Sequence, residues 1–386
     1  MRHVSTSGAH GIGEGAMNRI GIVCTARPSW SKLLPVVTEL VARGESPVLY
    51  MAGGALLFQF GEVVQQARAL FPQLLVRETY SELAGINLVT AAKSTGGLLQ
   101  SLADLFYQDQ PRIVLVNHDR REVLAAAMAA AYQNIPVAHI GGGERSGNID
   151  DAVRDAITAL ATYHFPATQM AAMRVYALTG QAERIVHVGC PSIDNARAIL
   201  EAPYVSAQEL GGVGTLNPLH PFLLVLQHAE TEQPEAAYRQ MATTLHAAQS
   251  TKLPVLVMWP GDDAGQEGAA KAIRVTVAEH PAYPFHTLRT LPPPRFLRLL
   301  LQAACLVGNS SAGIREASYL GVPTVNIGDR QRGRERGPNV VDCPHEFEAI
   351  RAAILERAYR PVPKTTLYGD GTAARRMVER LQCWAG

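Results

Sequence analysis

The sequence predicts an α/β fold in which two Rossmann-like domains face each other across an interdomain cleft. Short apolar runs rich in Val and Ile alternate with longer helical stretches, which is the rhythm of a doubly wound sheet. The irregular stretch at 211–221, with GGVG followed by NPLHP, interrupts this rhythm, and a second α/β unit begins at Phe222. Ligands of such sheets bind at the carboxyl ends of the strands, so the cleft is the predicted site.

The predicted strands are continuous apolar runs, several of them bounded by Gly or Pro. Parallel strands are buried on both faces, so a continuous run is expected rather than an alternating one. Helices are predicted at Arg121–Gln133 and Asp151–Ala161. The strands are predicted at Ile20–Cys24, Val48–Ala52, Ile113–Asn117, Val137–Ile140, Ile185–Val188, Phe222–Leu226, Val255–Met258, Cys305–Val307 and Thr324–Ile327.

Three segments of the chain are expected. Residues 1–17 are predicted to be a disordered leader, since they are small, polar and glycine-rich and lack the apolar core of a signal peptide; Met17 could be the native start. Residues 18–200 are predicted to form the N-terminal Rossmann-like domain. Residues 201–386 are predicted to form a C-terminal Rossmann-like domain that binds a nucleotide.

Composition narrows the classes of partner. The formal net charge of the 386 residues is +1, which gives no electrostatic case for nucleic acid or for an anionic membrane. No apolar run approaches the length of a membrane span. The five cysteines are scattered, without a C-x-x-C pair, which favours neither a zinc site nor a disulfide framework. We expect a cytoplasmic protein without a metal, a nucleic-acid partner or a membrane partner.

The segment Val307–Val340 carries the strongest signal for a ligand. Ser310, Ser311 and Gly313 lie in a turn of small residues between a predicted strand and a helix starting near Ile314. Two hydroxyls and free N–H groups at a helix start suit a diphosphate, and Glu316 could accept hydrogen bonds from ribose hydroxyls. The alternative is an ordinary capped helix, in which the serines cap and Glu316 complements the helix dipole.

Polar side chains also follow strands of the first domain. Asp119 stands where a buried strand gives way to a helix, at the expected mouth of the cleft, and could be a general base or a helix N-cap. Three glycines at 141–143 permit close approach of the backbone to a ligand and precede Glu144. Asp150 and Asp151 open the next helix, and one of them is expected to cap it.

Three further residues have a catalytic or binding interpretation. His228 follows the first strand of the second domain, at the cleft, although a lone histidine is more often structural. Arg27 and Lys32 bracket the turn after the first strand. Together they could clamp a phosphate or a sugar acid, or be solvated loop charges.

Together these segments resemble the hydrolysing UDP-N-acetylglucosamine 2-epimerase family, most closely its sialic-acid-pathway branch, from about Arg19 to Val341. The resemblance is most specific over GNSSAGIREASYLGVPTVNIGDRQRGRERGPNV. It implies a GT-B-like homodimer without a cofactor, acting on a UDP-sugar. The implied diphosphate, ribose and nucleotide residues are Ser310, Ser311, Gly313, Glu316, Arg330, Arg27 and Lys32, and the implied catalytic residues are Asp119, Asp150 and His228.

Such enzymes remove the C2 proton of the sugar and expel UDP, and water then adds to the resulting 2-acetamidoglucal. By this resemblance the chain differs from the family at Ser29, Ala55 and Gly141, where members carry an acidic residue, a histidine and a glutamate. We therefore predict a roomier and less negative sugar pocket, suited to a larger or acidic sugar. Proton abstraction is then expected at Asp119. The alternative is that the family reaction persists, with Glu144 or a water molecule replacing the lost glutamate.

Other functions remain open at this point. A nucleotide-sugar hydrolase without epimerisation and a glycosyltransferase could use the same two-domain architecture. A non-catalytic nucleotide-sugar sensor is the third alternative.

Overall fold

The computed structural model describes residues 19–57, 62–81, 83, 88–147, 149–230, 232–261 and 264–385. Within them the chain forms two sheets with helices on their faces, which confirms the predicted α/β class with two Rossmann-like units. The predicted leader at 1–17, including Met17, lies outside the described residues. In the described part of the chain, no helix is both long enough and apolar enough to cross a membrane.

The first sheet is entirely parallel, with strand order β3-β2-β1-β4-β5-β6. The order reverses between β1 and β4, and a crevice forms at such a point, outside the carboxyl ends of the strands. Its strands are β1 (Ile20–Cys24), β2 (Val48–Ala52), β3 (Leu75–Thr79), β4 (Ile113–Asn117), β5 (Val137–Ile140) and β6 (Tyr163–Phe165). Its helices are α1 (Arg27–Ala42), α2 (Val63–Leu70), α3 (Leu88–Asp109), α4 (Arg121–Ala131), α5 (Asp150–Leu160) and α6 (Gln169–Thr179).

The second sheet has the order β13-β12-β11-β8-β9-β10-β7 and is parallel except for β7, which runs antiparallel to β10. Its strands are β7 (Val213–Gly214), β8 (Leu223–Leu226), β9 (Val255–Met258), β10 (Phe285–Leu288), β11 (Cys305–Gly308), β12 (Thr324–Ile327) and β13 (Val340–Cys343). The later helices are α7 (Ser192–Ala198), α8 (Ala207–Leu210), α9 (Ala237–Ser250), α10 (Gln266–Glu279), α11 (Pro293–Gln302), α12 (Ser311–Ile314), α13 (Glu316–Leu320), α14 (Phe347–Arg357) and α15 (Ala373–Ala385).

The last helix packs against the first sheet, although its sequence position is in the second half. Met377 and Leu381 of α15 share a hydrophobic core with Leu40 of α1. The Asp194 carboxylate of α7 accepts hydrogen bonds from the first two N–H groups of α15, at 3.0 and 2.7 Å. The boundaries predicted at 18–200 and 201–386 stay a prediction, and by packing the segment 373–385 belongs with the first sheet.

Candidate active site

Two adjoining cavities lie between the sheets, at the carboxyl ends of their strands. The first, which we call the apolar cavity, is walled by hydrophobic side chains that include Met258, Leu291, Phe296 and Leu297. The second, the polar cavity, is walled mainly by polar and charged side chains, among them Asn117, His118, Asp119, Asp150, Arg315, Arg330 and Arg334. Both cavities share the wall formed by Pro28, Lys32, His228, Ser310 and Ser311.

The predicted site residues line one or both cavities, with the exceptions of Gly313 and Glu144. Arg27 and Glu316 line the apolar cavity, and Lys32, His228, Ser310 and Ser311 line both. The other three predicted residues, Asp119, Asp150 and Arg330, line the polar cavity. The structure therefore brings residues from both halves of the chain to one cleft, while their individual roles stay predictions.

The turn at Ser310 differs from the predicted single helix. Two short helices, α12 and α13, meet at Arg315, whose backbone bends the chain with φ −100° and ψ −73°. The Ser310 hydroxyl accepts a hydrogen bond from the Ala312 N–H at 3.3 Å, so it caps α12 as well as lining the cleft. Gly313 faces away from the cleft: a Cβ atom there would lie 2.5 Å from Thr324 Cγ2, which explains glycine by close packing rather than by ligand contact.

Glu316 is a buried carboxylate at the apolar cavity, with only 8% of its surface exposed. Its Oε2 atom has no hydrogen-bond partner among the described residues. A buried acceptor without a partner is costly, so this atom favours a donor supplied by a ligand.

Cations line the shared wall and its neighbourhood. Lys32 is buried, and burial followed by the charge of Arg315 lowers the pKa of its ammonium group. Arg27 begins α1 and donates a hydrogen bond through Nη1 to the Arg289 carbonyl at 3.3 Å, which links the two halves of the chain. A phosphate group placed at this wall would meet both a cation and two hydroxyls.

The ring orientation of His228 follows from its contacts. Its Nδ1 atom accepts a hydrogen bond from the Gly261 N–H at 3.0 Å. A neutral imidazole that accepts at Nδ1 carries its proton on Nε2, so His228 is a donor through Nε2. The tautomer is assigned from the positions of the heavy atoms.

Asp119, whose side chain is partly exposed, forms an ion pair with the fully enclosed guanidinium of Arg154. Burial alone would raise the pKa of Asp119, but the charges of Arg154 and then Arg334 lower it below its usual range. A carboxylate with a lowered pKa is a weak proton acceptor. The predicted role of Asp119 as the base that removes a carbon-bound proton stays a prediction.

Glu144 lies behind the polar cavity, paired with the buried guanidinium groups of Arg315 and Arg334. Burial would raise its pKa, but Arg315 and then Arg334 lower it. Glu144 is therefore ionised, and its carboxylate neutralises the two guanidinium groups. These ion pairs join the loop before α5 to the second half of the chain. The predicted role of Glu144 as a substitute for the lost glutamate stays a prediction.

Asp150 and Asp151 serve different purposes. Asp150 is the first residue of α5 and lines the polar cavity. Asp151 holds the preceding loop, because its carboxylate accepts hydrogen bonds from the N–H groups of Ser146 at 2.7 Å and Gly147 at 2.9 Å. Neither caps α5 in the ordinary sense, since the N-cap residue is Ile149.

His118 is the residue of the polar cavity that sequence reasoning missed. It is 6% exposed and has a left-handed backbone conformation with φ 67°. Burial and then the charge of Lys32 lower its pKa well below the ordinary value, so the ring is neutral at neutral pH. The available signal was its position, directly between the end of β4 and Asp119.

One cluster outside the cleft has metal-ligand composition. Ligand atoms of His246, within α9, and of Glu279 and His280, at the end of α10, lie within 4.8 Å of one another. The Nδ1 atom of His280 is engaged with the Thr276 carbonyl at 3.0 Å. These residues do not line either cavity, and the prediction that the cleft works without a metal stays a prediction.

The comparison with known families agrees with this geometry. The sequence profile described as UDP-N-acetylglucosamine 2-epimerase matches residues 43–382, which is most of the chain. The chain belongs to this family. The predicted resemblance is thereby confirmed, as is the predicted class of an enzyme that acts on a nucleotide sugar.

Individual members of the family are similar over most of their length. The UDP-N,N'-diacetylbacillosamine 2-epimerase (hydrolyzing) of Legionella pneumophila is 32% identical over 303 residues, covering 78% of each chain. A UDP-N-acetylglucosamine 2-epimerase of Neisseria meningitidis serogroup B is 26% identical over 348 residues, covering 88% of this chain and 87% of that one. A crystal structure of a Neisseria meningitidis epimerase bound to UDP-GlcNAc superposes with a TM-score of 0.79 at 19% identity, covering 95% and 100% of the two chains, which confirms the GT-B-like fold.

Proposed function

We propose that this chain is a hydrolysing 2-epimerase that converts a UDP-activated 2-acetamido sugar into the free 2-epimeric sugar and UDP. The observation that carries the proposal is the continuity of the two cavities through Lys32, His228, Ser310 and Ser311. An apolar cavity, a wall of donors and a polar cavity follow one another in the order of nucleoside, diphosphate and sugar. Family membership supplies the reaction class.

The nucleoside is assigned to the apolar cavity. Leu291, Phe296 and Leu297 offer an apolar surface for a flat base, and apolar walls with a few placed polar groups are typical of ligand sites. The buried Oε2 atom of Glu316 would accept a hydrogen bond from a ribose hydroxyl. Hydrogen bonds to a charged group are worth about 1.5–3 kcal/mol.

The diphosphate is assigned to the shared wall. Lys32 supplies a buried positive charge, and the hydroxyls of Ser310 and Ser311 supply donors. His228 presents a donor through Nε2, which could stabilise the negative charge that develops on the departing oxygen. Stabilising the leaving group is what the cleavage of the sugar–oxygen bond needs.

The sugar is assigned to the polar cavity. Its wall holds His118, Asp119 and Asp150 from the first half of the chain, and Arg315, Arg330 and Arg334 from the second. The reaction takes a proton from C2 while the C1–oxygen bond breaks, and the C2–H electron pair becomes the C1–C2 double bond. Water then adds across this bond, with its oxygen at C1 and a proton at C2. No electron transfer to a cofactor is needed.

The sugar is proposed to be a modified one rather than unmodified N-acetylglucosamine. The relative that is 32% identical is named for UDP-N,N'-diacetylbacillosamine, which carries an additional acetamido group. The predicted extra room at Gly141 is not found, because the His118 ring occupies the space beside it. The predicted loss of negative charge agrees with a polar cavity walled by several arginines.

The test is incubation of the purified chain with a panel of nucleotide sugars, with products identified by mass spectrometry and proton NMR. The panel comprises UDP-N-acetylglucosamine, UDP-N,N'-diacetylbacillosamine, its GDP counterpart and UDP-2,3-diacetamido-2,3-dideoxy-D-glucuronate. We expect UDP and a free 2-epimeric sugar from a modified substrate. A free sugar with unchanged C2 configuration indicates a simple hydrolase, turnover only with an acceptor indicates a glycosyltransferase, and binding without turnover indicates a sensor.

Two further properties are proposed from family resemblance. We propose a cytoplasmic homodimer, which light scattering of the purified chain would test through its molar mass in solution.

A further inference from the structure

Two neighbouring helices carry a cluster of metal-ligand side chains on the side of the second sheet that is away from the cleft. His246 lies in α9, four residues before its end at Ser250, Glu279 is the last residue of α10, and His280 follows it. Each helix connects one strand to the next parallel strand, β8 to β9 and β9 to β10. The helices therefore end at the amino ends of the strands, whereas the cleft lies at their carboxyl ends.

Packing of α9 against α10 holds the three side chains of this histidine cluster together. Leu245, next to His246, and Ile273 of α10 belong to one hydrophobic core. One ligand atom of each cluster residue lies within 4.8 Å of the other two. Ligand atoms bound to one tetrahedral zinc ion are about 3.3–3.6 Å apart, so side-chain rotations that move these atoms by about 1 Å would close the cluster on an ion.

The ring of His280 is oriented in the way that is typical of a metal ligand. Its Nδ1 atom lies 3.0 Å from the Thr276 carbonyl. Because a carbonyl oxygen only accepts, Nδ1 carries the ring proton and Nε2 holds a lone pair, an assignment made from the heavy atoms. Histidines that bind a metal usually donate their other N–H to a carbonyl or a carboxylate, which fixes the ring. His280 is therefore prepared to bind an ion through Nε2.

The surroundings of the cluster favour a positive ion. Partial negative charge concentrates in the last turn of a helix, and the cluster lies within about one turn of the ends of both α9 and α10. Glu279 is exposed and adds a full negative charge. The rings of His246 and His280 are 5.8 Å apart, centroid to centroid, so protonating both would place two positive charges side by side. One metal ion bound by two neutral rings avoids this repulsion.

The ligand set indicates which ion the cluster would take. Two imidazoles and one carboxylate are typical ligands of zinc, while calcium and magnesium prefer oxygen ligands alone. We propose that His246, Glu279 and His280 bind one Zn²⁺ ion, with water as the fourth ligand, and that the ion ties α9 to the end of α10. The three residues line neither cavity of the cleft, so the ion stabilises the second half of the chain and takes no part in the proposed reaction. This site departs from the expectation of a chain without a metal, which rested on the pattern of the cysteines.

Calorimetric titration of the full chain with zinc chloride, after removal of metal with EDTA and then of the EDTA, tests the site. Every sample carries Cys383→Ser, because this exposed thiol is itself a zinc ligand. We expect one ion per chain at the cluster, and binding weaker by about 10-fold or more in each of His246→Gln, Glu279→Gln and His280→Gln. His220→Gln, which replaces an exposed histidine outside the cluster, is the control and should leave zinc affinity unchanged.

Thermal unfolding distinguishes loss of the site from damage to the fold. Zinc should raise the unfolding temperature of the parent chain and of His220→Gln, because an ion that binds only the folded state stabilises it. The rise that zinc causes, measured against the same sample in EDTA, should be absent in His246→Gln and Glu279→Gln. The absence of saturable zinc binding by the parent chain, or an equal zinc affinity and an equal rise in the parent and the cluster variants, overturns the zinc site and leaves the proposed function standing.

Discussion

Two hydrogen bonds join the side chain of Asn309 to the backbone of His228. The His228 N–H donates to Asn309 Oδ1 at 2.7 Å, and Asn309 Nδ2 donates to the His228 carbonyl at 3.0 Å. Asn309 follows β11 and His228 follows the neighbouring strand β8, so the amide ties the two strand ends together at the cleft. Asn309 is fully buried and is therefore a positioning residue for His228 rather than a ligand contact.

Replacing Asn309 should impair turnover as well as stability. Asn309→Ala removes two buried hydrogen bonds, which should lower the free energy of unfolding by about 1–3 kcal/mol and release His228 from its place. Asn326→Ala is the matched control, because this buried asparagine of β12 bonds to Asp342 at 2.7 Å, and it lines neither cavity. Urea denaturation and steady-state kinetics should show similar losses of stability in both variants but a lower kcat only in Asn309→Ala. Equal kcat values in the two variants would show that Asn309 does not position His228 for turnover.

Glu316 should contribute to binding of the nucleotide alone. Glu316→Ala removes the buried acceptor proposed for the ribose, and the affinity for UDP should fall by about 1–3 kcal/mol. Calorimetric titration with UDP in the absence of sugar measures this directly. Glu348→Ala is the control, since that glutamate is exposed on α14 and should leave UDP affinity unchanged. Equal UDP affinities of wild type and Glu316→Ala would show that Glu316 does not bind the ribose.

Glu144 should matter to stability because of the charges that it neutralises. Glu144→Gln leaves Arg315 and Arg334 without their buried counter-charge, and breaking a buried pair in this way typically costs about 3–5 kcal/mol. Glu39→Gln, which breaks a partly exposed pair with Arg43, should cost about 1 kcal/mol or less. The free energies of unfolding of the two variants test this, and similar values would show that the Glu144 cluster contributes little.

Apart from β10, which lies between β9 and β7, the inner strands of both sheets could be predicted from the sequence, while the edge strands could not. All predicted strands are found except Ile185–Val188, where only Ile185 forms an isolated bridge to His164. The strands that were not predicted include β3 and β6, which form the two edges of the first sheet, and β13, which forms one edge of the second. Edge strands are less completely buried than central strands. The edge strand β3 accordingly has the mixed sequence LVRET and lacks the continuous apolar run by which central strands are predicted.

Site residues with a strand-end position could be predicted, but their partners could not. Asp119 and His228 were placed by the rule that ligands meet the carboxyl ends of strands. Arg154 and Arg334 reach the site from distant segments, and no local pattern shows that they neutralise Asp119 and Glu144. His118 was missed because its left-handed backbone and its contact with Gly141 exist only in the folded chain.

Stability should decrease as the pH falls below neutrality, because buried histidines must stay neutral in the folded state. Burial lowers the pKa of His139 to about 4 and, together with Arg184, that of His164 to about 4. In the unfolded chain the value is near 6.5, so between about pH 6.5 and pH 4 the unfolded state binds protons that the folded state does not. The free energy of unfolding should then fall by about 1.4 kcal/mol per pH unit for each such histidine.

His164→Leu isolates one contribution to this pH dependence. The His164 Nδ1 atom has no hydrogen-bond partner among the described residues, so an apolar side chain of similar size should be tolerated in β6. We would measure the free energy of unfolding of wild type and variant by urea denaturation at several values between pH 7 and pH 4. This free energy should fall less steeply with decreasing pH in the variant, and the difference should correspond to at most one bound proton. Identical slopes would mean that His164 is already protonated or exposed in the folded chain.

The central claim is that the cleft breaks the C2–H bond of a UDP-activated sugar. The most direct measurement is proton NMR of the free sugar that the wild-type chain releases from its best substrate in deuterium oxide. The account predicts one deuterium at C2, inverted C2 configuration and UDP in equal amount. Released sugar that keeps its C2 hydrogen and its original configuration would contradict the account, since it would show hydrolysis without proton abstraction.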